Sequence, residues 1–144
     1  DASATVRDDG VTLHIVRSRL RGRPSRSLLL APAAVLRALA VPAGIYHFHD
    51  PELLPWAWLL LARRARVVYD VHEDYSLALE QRPYVPRLLR RMGRRVVDVL
   101  ERALALPFHK VIAEECYSGR FPRATRVLNY PTAHLLAVEA NLDP

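Results

Sequence analysis

The sequence has little cysteine, little glycine and no long hydrophobic run. A single cysteine, Cys116, excludes an intramolecular disulfide framework and a cysteine-based zinc site, and is typical of a reducing compartment. The five glycines form no glycine-rich turn of the kind that lies against a pyrophosphate, so a dinucleotide-dependent oxidoreductase is not expected. The longest apolar run, 53–62, is too short to span a membrane and contains Pro55. We therefore expect a cytoplasmic protein.

Lysine is also scarce, because Lys110 is the only lysine among 21 basic residues. With 15 acidic residues, the formal net charge is +6. A basic surface of this kind attracts nucleic acid, anionic lipid or phosphorylated substrates. The 144 residues, of which 51% are hydrophobic, suffice for the core of one domain or of part of one.

Two short apolar segments, 45–48 and 67–71, predict strands on either side of a helix. Asp50 suits the N-cap of that helix and Pro51 its first position, where a missing N–H costs nothing. The apolar residues that follow recur at helical spacing: Leu53, Leu54, Ala57, Trp58 and Leu61. Strand, helix and strand with short turns between them are typical of a βαβ unit with parallel strands.

The other segments predict an α/β fold. Strands are expected at 11–16, 110–113 and 125–128, and helices at 28–41 and 86–106, with one or two helical turns within 114–121. Residues 1–10 are expected to be frayed. The predicted fold class is α/β, with a Rossmann-like, mostly parallel sheet and helices on both faces.

Both predicted strands of the βαβ unit end on polar side chains. Because the carboxyl ends of parallel strands meet at one edge of a sheet, His49 and Asp50 should lie beside His72. The same edge would carry the other histidine, carboxylate and tyrosine side chains of these segments: His47, Asp70, Glu73, Asp74 and Tyr75. The sequence therefore predicts a ligand site at this edge.

Two chemistries are open for this edge. His47, His49, His72 and Asp70 could hold zinc or iron in a metal-dependent hydrolase. His47, however, lies within a strand of a covered sheet, where a packed or hydrogen-bonded role is more usual than a ligand role. The other chemistry is a carbohydrate site, in which imidazoles and carboxylates bind hydroxyl groups and Trp56 or Trp58 contacts the sugar ring.

The predicted helix at 86–106 is basic and amphipathic. One face is apolar: Leu88, Leu89, Met92, Val96, Val99, Leu100 and Ala103. The rest carries arginines: Arg87, Arg90, Arg91, Arg94, Arg95 and Arg102. The pattern fits either a helix on an anionic membrane surface or an ordinary surface helix with its arginine side in solvent. A non-catalytic α/β domain that binds membrane or nucleic acid through this helix is therefore an alternative function.

Four blocks of sequence carry a resemblance to a known family. They are HFHDPELLPWA at 47–57, VVYDVHEDY at 67–75, RPYVPRLLRR at 82–91 and VLNYP at 127–131. In content and in order they resemble the N-terminal half of GT4-type retaining glycosyltransferases of the GT-B fold. The resemblance extends over about residues 11–131.

The resemblance implies an acceptor-binding, Rossmann-like domain at 1–131 and a tail or interdomain linker at 132–144. It implies a catalytic role for His72 near the transferred sugar, by positioning and electrostatic help. It also implies substrate contacts from His49, Asp50, Glu73, Asp74 and Tyr75. The co-substrate would be a nucleotide-sugar, with no other cofactor and no metal.

Two parts of the family's pattern are not found in this sequence: the first strand, helix and strand, and the donor-binding domain. We therefore expect the chain alone to be inactive in sugar transfer and to self-associate through apolar surface. A sugar or lipid-linked acceptor at the inner face of the membrane is expected. Peripheral membrane contact would then involve Arg87, Arg90, Arg91, Arg94 and Arg95.

Overall fold

The structure is a computed structural model that describes residues 3–16, 26–72 and 86–129. It begins with an antiparallel hairpin of β1 (Ser3–Asp8) and β2 (Val11–Val16). Asp9 and Gly10 form the two-residue turn with φ of 42° and 79°, the left-handed conformation that Asp-Gly sequences favour. The prediction of a frayed segment at 1–10 is therefore wrong for Ser3–Asp8, because this turn pairs the segment with β2.

The predicted βαβ unit is present. A π-helical turn (Arg26–Leu30) and helix α1 (Ala31–Leu39) lead to strand β3 (Ile45–Phe48). Helix α2 (Leu54–Ala57) is flanked by 3-10 turns at Pro51–Leu53 and Trp58–Arg63, and strand β4 (Arg66–Val71) follows. Strands β3 and β4 are parallel and pair from Ile45↔Arg66 to Phe48↔Tyr69.

The second half of the chain completes the sheet. Helix α3 (Arg87–Leu104) leads to strand β5 (His109–Ile112), and a 3-10 turn (Glu115–Gly119) leads to the short strand β6 (Thr125–Arg126). The four strands are parallel and lie in the order β3-β4-β5-β6. The α/β fold class, a Rossmann-like parallel sheet flanked by helices, is confirmed. Of the predicted helices on both faces of the sheet, the described residues show those on one face.

The main core lies on one face of this sheet. Tyr46, Phe48 and Tyr69 point to that face, where the rings of Phe48 and Tyr69 stack with centroids 5.3 Å apart. Each helix contributes buried residues to the same core: Val35 from α1, Leu54 and Ala57 from α2, and Ala105 just after α3. The crossovers from β3 to β4 and from β4 to β5 run in the same direction across the sheet. Because such crossovers are right-handed, their helices, α2 and α3, lie on the same face. Strand alternation therefore turns His47, Asp70 and His72 to the other face.

Helix α3 packs with its polar side inward. Its one buried residue is Glu101, which accepts hydrogen bonds from the Tyr69 hydroxyl at 2.9 Å and from Arg120 at 2.7 Å. Six apolar residues of α3 are exposed instead: Leu88, Leu89, Met92, Val96, Val99 and Leu100. Of the two alternatives for this helix, the ordinary surface helix requires a buried apolar face. The structure does not show one, because these apolar residues are exposed.

Among the helices of the described ranges, none is both long and hydrophobic enough to span a bilayer. Residues 73–75, 82–85 and 130–144, on which several sequence predictions fall, lie outside those ranges. These predictions include the contacts of Glu73, Asp74 and Tyr75 and the tail or linker at 132–144.

Candidate functional site

His49 and His72 come together at the carboxyl ends of two neighbouring strands. His49 follows β3 and His72 follows β4, and the parallel register, in which Phe48 pairs with Tyr69, puts both histidines at the same edge of the sheet. Their ring centroids lie 6.0 Å apart with an interplanar angle of 89°. Both residues are exposed. The predicted gathering of the two strand ends is therefore confirmed for these histidines.

A buried carboxylate holds two histidines beside this pair. Oδ2 of Asp70 accepts a hydrogen bond from Nε2 of His47 at 3.0 Å and another from Nε2 of His72 at 2.9 Å. The Asp70 side chain is only 12% exposed, whereas those of His47 and His72 are 54% and 47% exposed. The site thus combines a fixed, buried acceptor with two accessible imidazoles.

The hydrogen bonds to Asp70 set the proton position on both rings. A carboxylate oxygen only accepts hydrogen bonds, so the proton of each bond belongs to the histidine Nε2. In the neutral ring Nδ1 is then an acceptor, and in the charged ring it is a second donor. His72 can therefore offer Nδ1 to a hydroxyl group while Asp70 keeps the ring oriented.

The second oxygen of Asp70 has no hydrogen-bond partner among the described residues. Oδ1 is buried, and no donor within the described part of the chain reaches it. An unpaired buried acceptor costs on the order of 1–3 kcal/mol, so such atoms are rare and need an explanation. This unpaired oxygen belongs to the carboxylate that holds both His47 and His72. It marks this cluster as the candidate functional site of the fold.

The backbone at His72 is anchored from the next crossover. The hydroxyl of Tyr117, in the 3-10 turn after β5, donates a hydrogen bond of 3.2 Å to the carbonyl oxygen of His72. The backbone N–H of Ala113 donates to the carbonyl of Val71 at 3.2 Å. Tyr117 is a supporting residue that the sequence analysis missed, because no local pattern relates it to a residue 45 positions earlier.

Asp50 takes its predicted N-cap position, but without the side-chain bond expected of a cap. It lies at the N-cap of the 3-10 turn, but its side chain makes no capping hydrogen bond, and the N–H of Leu53 bonds to its backbone carbonyl instead. In a 3-10 turn an N–H bonds to the carbonyl three residues earlier. The main chain therefore already satisfies the N–H of Leu53, and no side-chain cap is needed. Asp50 lines a hollow together with Val16, Leu30 and Ala31. It is thus adjacent to His49 in the chain but is oriented toward the hairpin and α1.

Trp58 is held beside the end of α3, just before the amino end of β5. The indole N–H of Trp58 donates to the carbonyl of Leu104 at 2.8 Å, and its ring packs edge-on against Phe108 with centroids 6.4 Å apart. Trp56 is partly buried against the core. The suggestion that Trp58 contacts a sugar ring is therefore wrong, since helix packing holds it at the end of α3.

A metal site is not formed by the described residues. In residues 3–16, 26–72 and 86–129, no three histidine, cysteine or carboxylate side chains are arranged to hold a metal ion. The nitrogens of His47 and His72 are instead hydrogen-bonded to Asp70. This agrees with the hydrogen-bonded role expected for His47.

Comparison with known proteins gives no match. No protein-family model matches the sequence, and neither a curated protein nor a solved structure is significantly similar to the chain. The role of the site is therefore inferred from its geometry and from the sequence blocks at 47–57 and 67–75.

Proposed function

We propose that this chain is the acceptor-side domain of a retaining glycosyltransferase of the GT4 type, and that the edge formed by His49 and His72 binds carbohydrate. The observation that carries the proposal is the pair of exposed imidazoles, 6.0 Å apart, at adjacent carboxyl ends of a parallel sheet. Directed donors and acceptors at this spacing suit hydroxyl groups that are held close together, as those of a transferred sugar and its acceptor would be.

The roles of the residues follow from their partners. Asp70 is the positioning residue, since its Oδ2 holds the Nε2 of His72. His72 would then meet the transferred sugar through Nδ1 and assist by orientation and by electrostatic stabilisation, with no covalent bond to the protein. His49 would bind a hydroxyl of the acceptor.

The ordered blocks support the choice of enzyme class. HFHDPELLPWA and VVYDVHEDY resemble the glycosyltransferase blocks, and they include His49 and His72, which lie at the two neighbouring strand ends. By the same resemblance, Glu73, Asp74 and Tyr75 are proposed substrate contacts, whereas Asp50, oriented toward the hairpin and α1, is not. The donor would be a nucleotide-sugar held by a second domain, where its diphosphate leaving group would be stabilised.

Carbohydrate binding by the chain itself tests the proposal. Methyl glycosides of glucose, galactose, mannose and N-acetylglucosamine would be titrated into the chain, and the ring C–H signals of the histidines followed by NMR. We expect saturable shifts at His49 and His72. His72→Ala should weaken the binding of the preferred glycoside about tenfold, the cost of losing one or two hydrogen bonds.

His14→Ala is the matched control, because His14 is an exposed histidine on the hairpin, bonded to Arg37. It should leave the glycoside affinity unchanged. Equal affinity of wild type and His72→Ala, or shifts confined to His14, would contradict the assignment of the site. A donor-side test with the complete two-domain enzyme would then ask whether His72→Ala lowers the rate of transfer.

A further inference from the structure

The apolar face of α3 is turned away from the protein. Leu88, Leu89, Met92, Val96, Val99 and Leu100 are each between 53 and 69% exposed. At about 100° per residue they fall within one arc of roughly 120° on the helix surface. The arc runs from Leu88 to Leu100 of this 18-residue helix, a length of about 18 Å. An apolar stripe of this size on a soluble domain marks an interaction surface.

Arginines border this stripe on one side. Arg91, Arg95 and Arg102 lie on the neighbouring arc of the helix and are exposed. The basic border continues into a surface hollow that is lined by Arg91, Arg94, Arg95 and Arg120, together with Asp98. The carboxylate of Asp98 is already bonded to Arg102 and to Arg120. The exposed surface is therefore apolar along its centre and cationic along its border.

The packing of α3 fixes which side is presented outward. Glu101 is anchored on the opposite side of the helix by Tyr69 and Arg120. Rotating the stripe inward would pull this carboxylate out of its buried hydrogen bonds, which is costly for a charged group. The outward position of the stripe is thus held by a buried polar contact.

The charge of the surface selects among possible occupants. A second copy of this chain would bring the same cluster of arginines to the contact, and like charges would repel. Nucleic acid would match the arginines but would leave six aliphatic side chains in water. An anionic bilayer satisfies both parts, since acyl chains receive the aliphatic residues and lipid phosphates receive the arginines.

We propose that α3 is an in-plane membrane helix, which docks the domain on anionic lipid with Val96 and its neighbours inserted at the boundary between headgroups and acyl chains. The inference rests on α3 alone and holds whether or not the histidine edge binds carbohydrate. The lipid phosphates would bind Arg91 and Arg95, which are exposed beside the stripe.

Vesicle flotation of the intact chain tests the proposal. Vesicles of phosphatidylcholine with about one third phosphatidylglycerol would be compared with vesicles of phosphatidylcholine alone. We expect binding to the anionic vesicles that falls as NaCl is raised. Val96→Asp, near the centre of the stripe, should lower the partition coefficient about tenfold. The pair Arg91→Gln and Arg95→Gln should lower it by about fivefold per arginine.

Two matched controls make the same chemical changes elsewhere. Leu36→Asp places a charge at an exposed leucine of α1. The pair Arg66→Gln and Arg123→Gln removes two exposed arginines away from α3. Both controls should bind vesicles like the wild type. Circular dichroism would show that all variants are folded, because each replaced side chain is exposed.

Three outcomes would overturn the proposal. One is equal vesicle binding by Val96→Asp and Leu36→Asp. Another is a concentration-dependent dimer that Val96→Asp dissociates, without vesicle binding, which would make a second copy the occupant. The third is salt-sensitive binding to DNA or RNA that needs Arg91 and Arg95 but not Val96. Loss of glycoside binding in His72→Ala would leave vesicle binding intact, so the two proposals fail separately.

Discussion

Tyr69 of β4 donates a hydrogen bond of 2.9 Å to the carboxylate of Glu101 in α3, and both residues are buried. Arg120 donates to the other carboxylate oxygen at 2.7 Å. A charged group taken out of water is tolerated only with such complete pairing. This contact decides the rotation of α3, because it brings the polar side of the helix to the sheet and leaves the apolar side outside.

The first prediction concerns this contact. Glu101→Ala removes the carboxylate and leaves Arg120 and Tyr69 without their buried acceptor, so the free energy of unfolding should fall by about 3–5 kcal/mol. Glu101→Gln keeps an acceptor for Tyr69 and should cost less. Urea denaturation followed by circular dichroism measures both. Glu115→Ala is the control, since Glu115 pairs with Arg126 at an exposed site and should change stability by less than about 1 kcal/mol.

The rotation of α3 also shows what periodicity can and cannot predict. Helical spacing correctly predicted a helix with one apolar face between residues 86 and 106. It could not predict that this face points outward, because the buried pairing of Glu101 joins residues 32 positions apart. The hairpin, in contrast, was predictable from local sequence. Asp9-Gly10 is a turn signal between two β-prone segments.

The candidate site was also predicted only in part: the meeting of the strand ends was predicted, and the side-chain contacts were not. The parallel-strand rule correctly brought His49 to His72, because it depends only on strand direction. The shared acceptor depends on side-chain direction as well: Asp70 and His72 are on one face of β4, and His47 reaches them across the pair. The placement of Trp58 against Phe108 depends on helix packing, which spacing alone does not reveal.

A second prediction tests the core beneath the βαβ unit. Leu54 is 1% exposed and packs in the cluster that includes Val35 and Tyr46. Leu54→Ala should lower the free energy of unfolding by about 2–5 kcal/mol, the loss of buried area plus the cavity. Leu59→Ala, in the following 3-10 turn and exposed, should change it by less than about 1 kcal/mol. Similar losses for both leucines would contradict the described packing.

A third prediction concerns Asp70 as the positioning residue of the histidine edge. In the wild type, ¹H–¹⁵N correlation spectra of the imidazoles should show the proton of neutral His47 and His72 on Nε2. Asp70→Ala removes the carboxylate that accepts both bonds, so the fraction of both rings in this tautomer should fall, and glycoside affinity should fall with it. The tautomer of His14 is the internal control and should not change, and an unchanged His72 tautomer in Asp70→Ala would contradict the role of Asp70.

The last prediction follows from Lys110, whose ammonium group donates to the carbonyls of Ala105 and Leu106 at the end of α3, at 3.1 and 3.3 Å. Burial lowers the pKa of Lys110 below its ordinary value. Between the lowered folded pKa and the ordinary unfolded pKa, the unfolded chain binds more protons, so stability rises with pH across that alkaline window. Arginine does not titrate there, and Lys110→Arg should therefore lack this rise. Urea denaturation at about pH 8, 9 and 10 measures the difference in unfolding free energy between the two proteins. This difference should grow with pH in favour of the wild type. A constant difference would show that Lys110 is not desolvated.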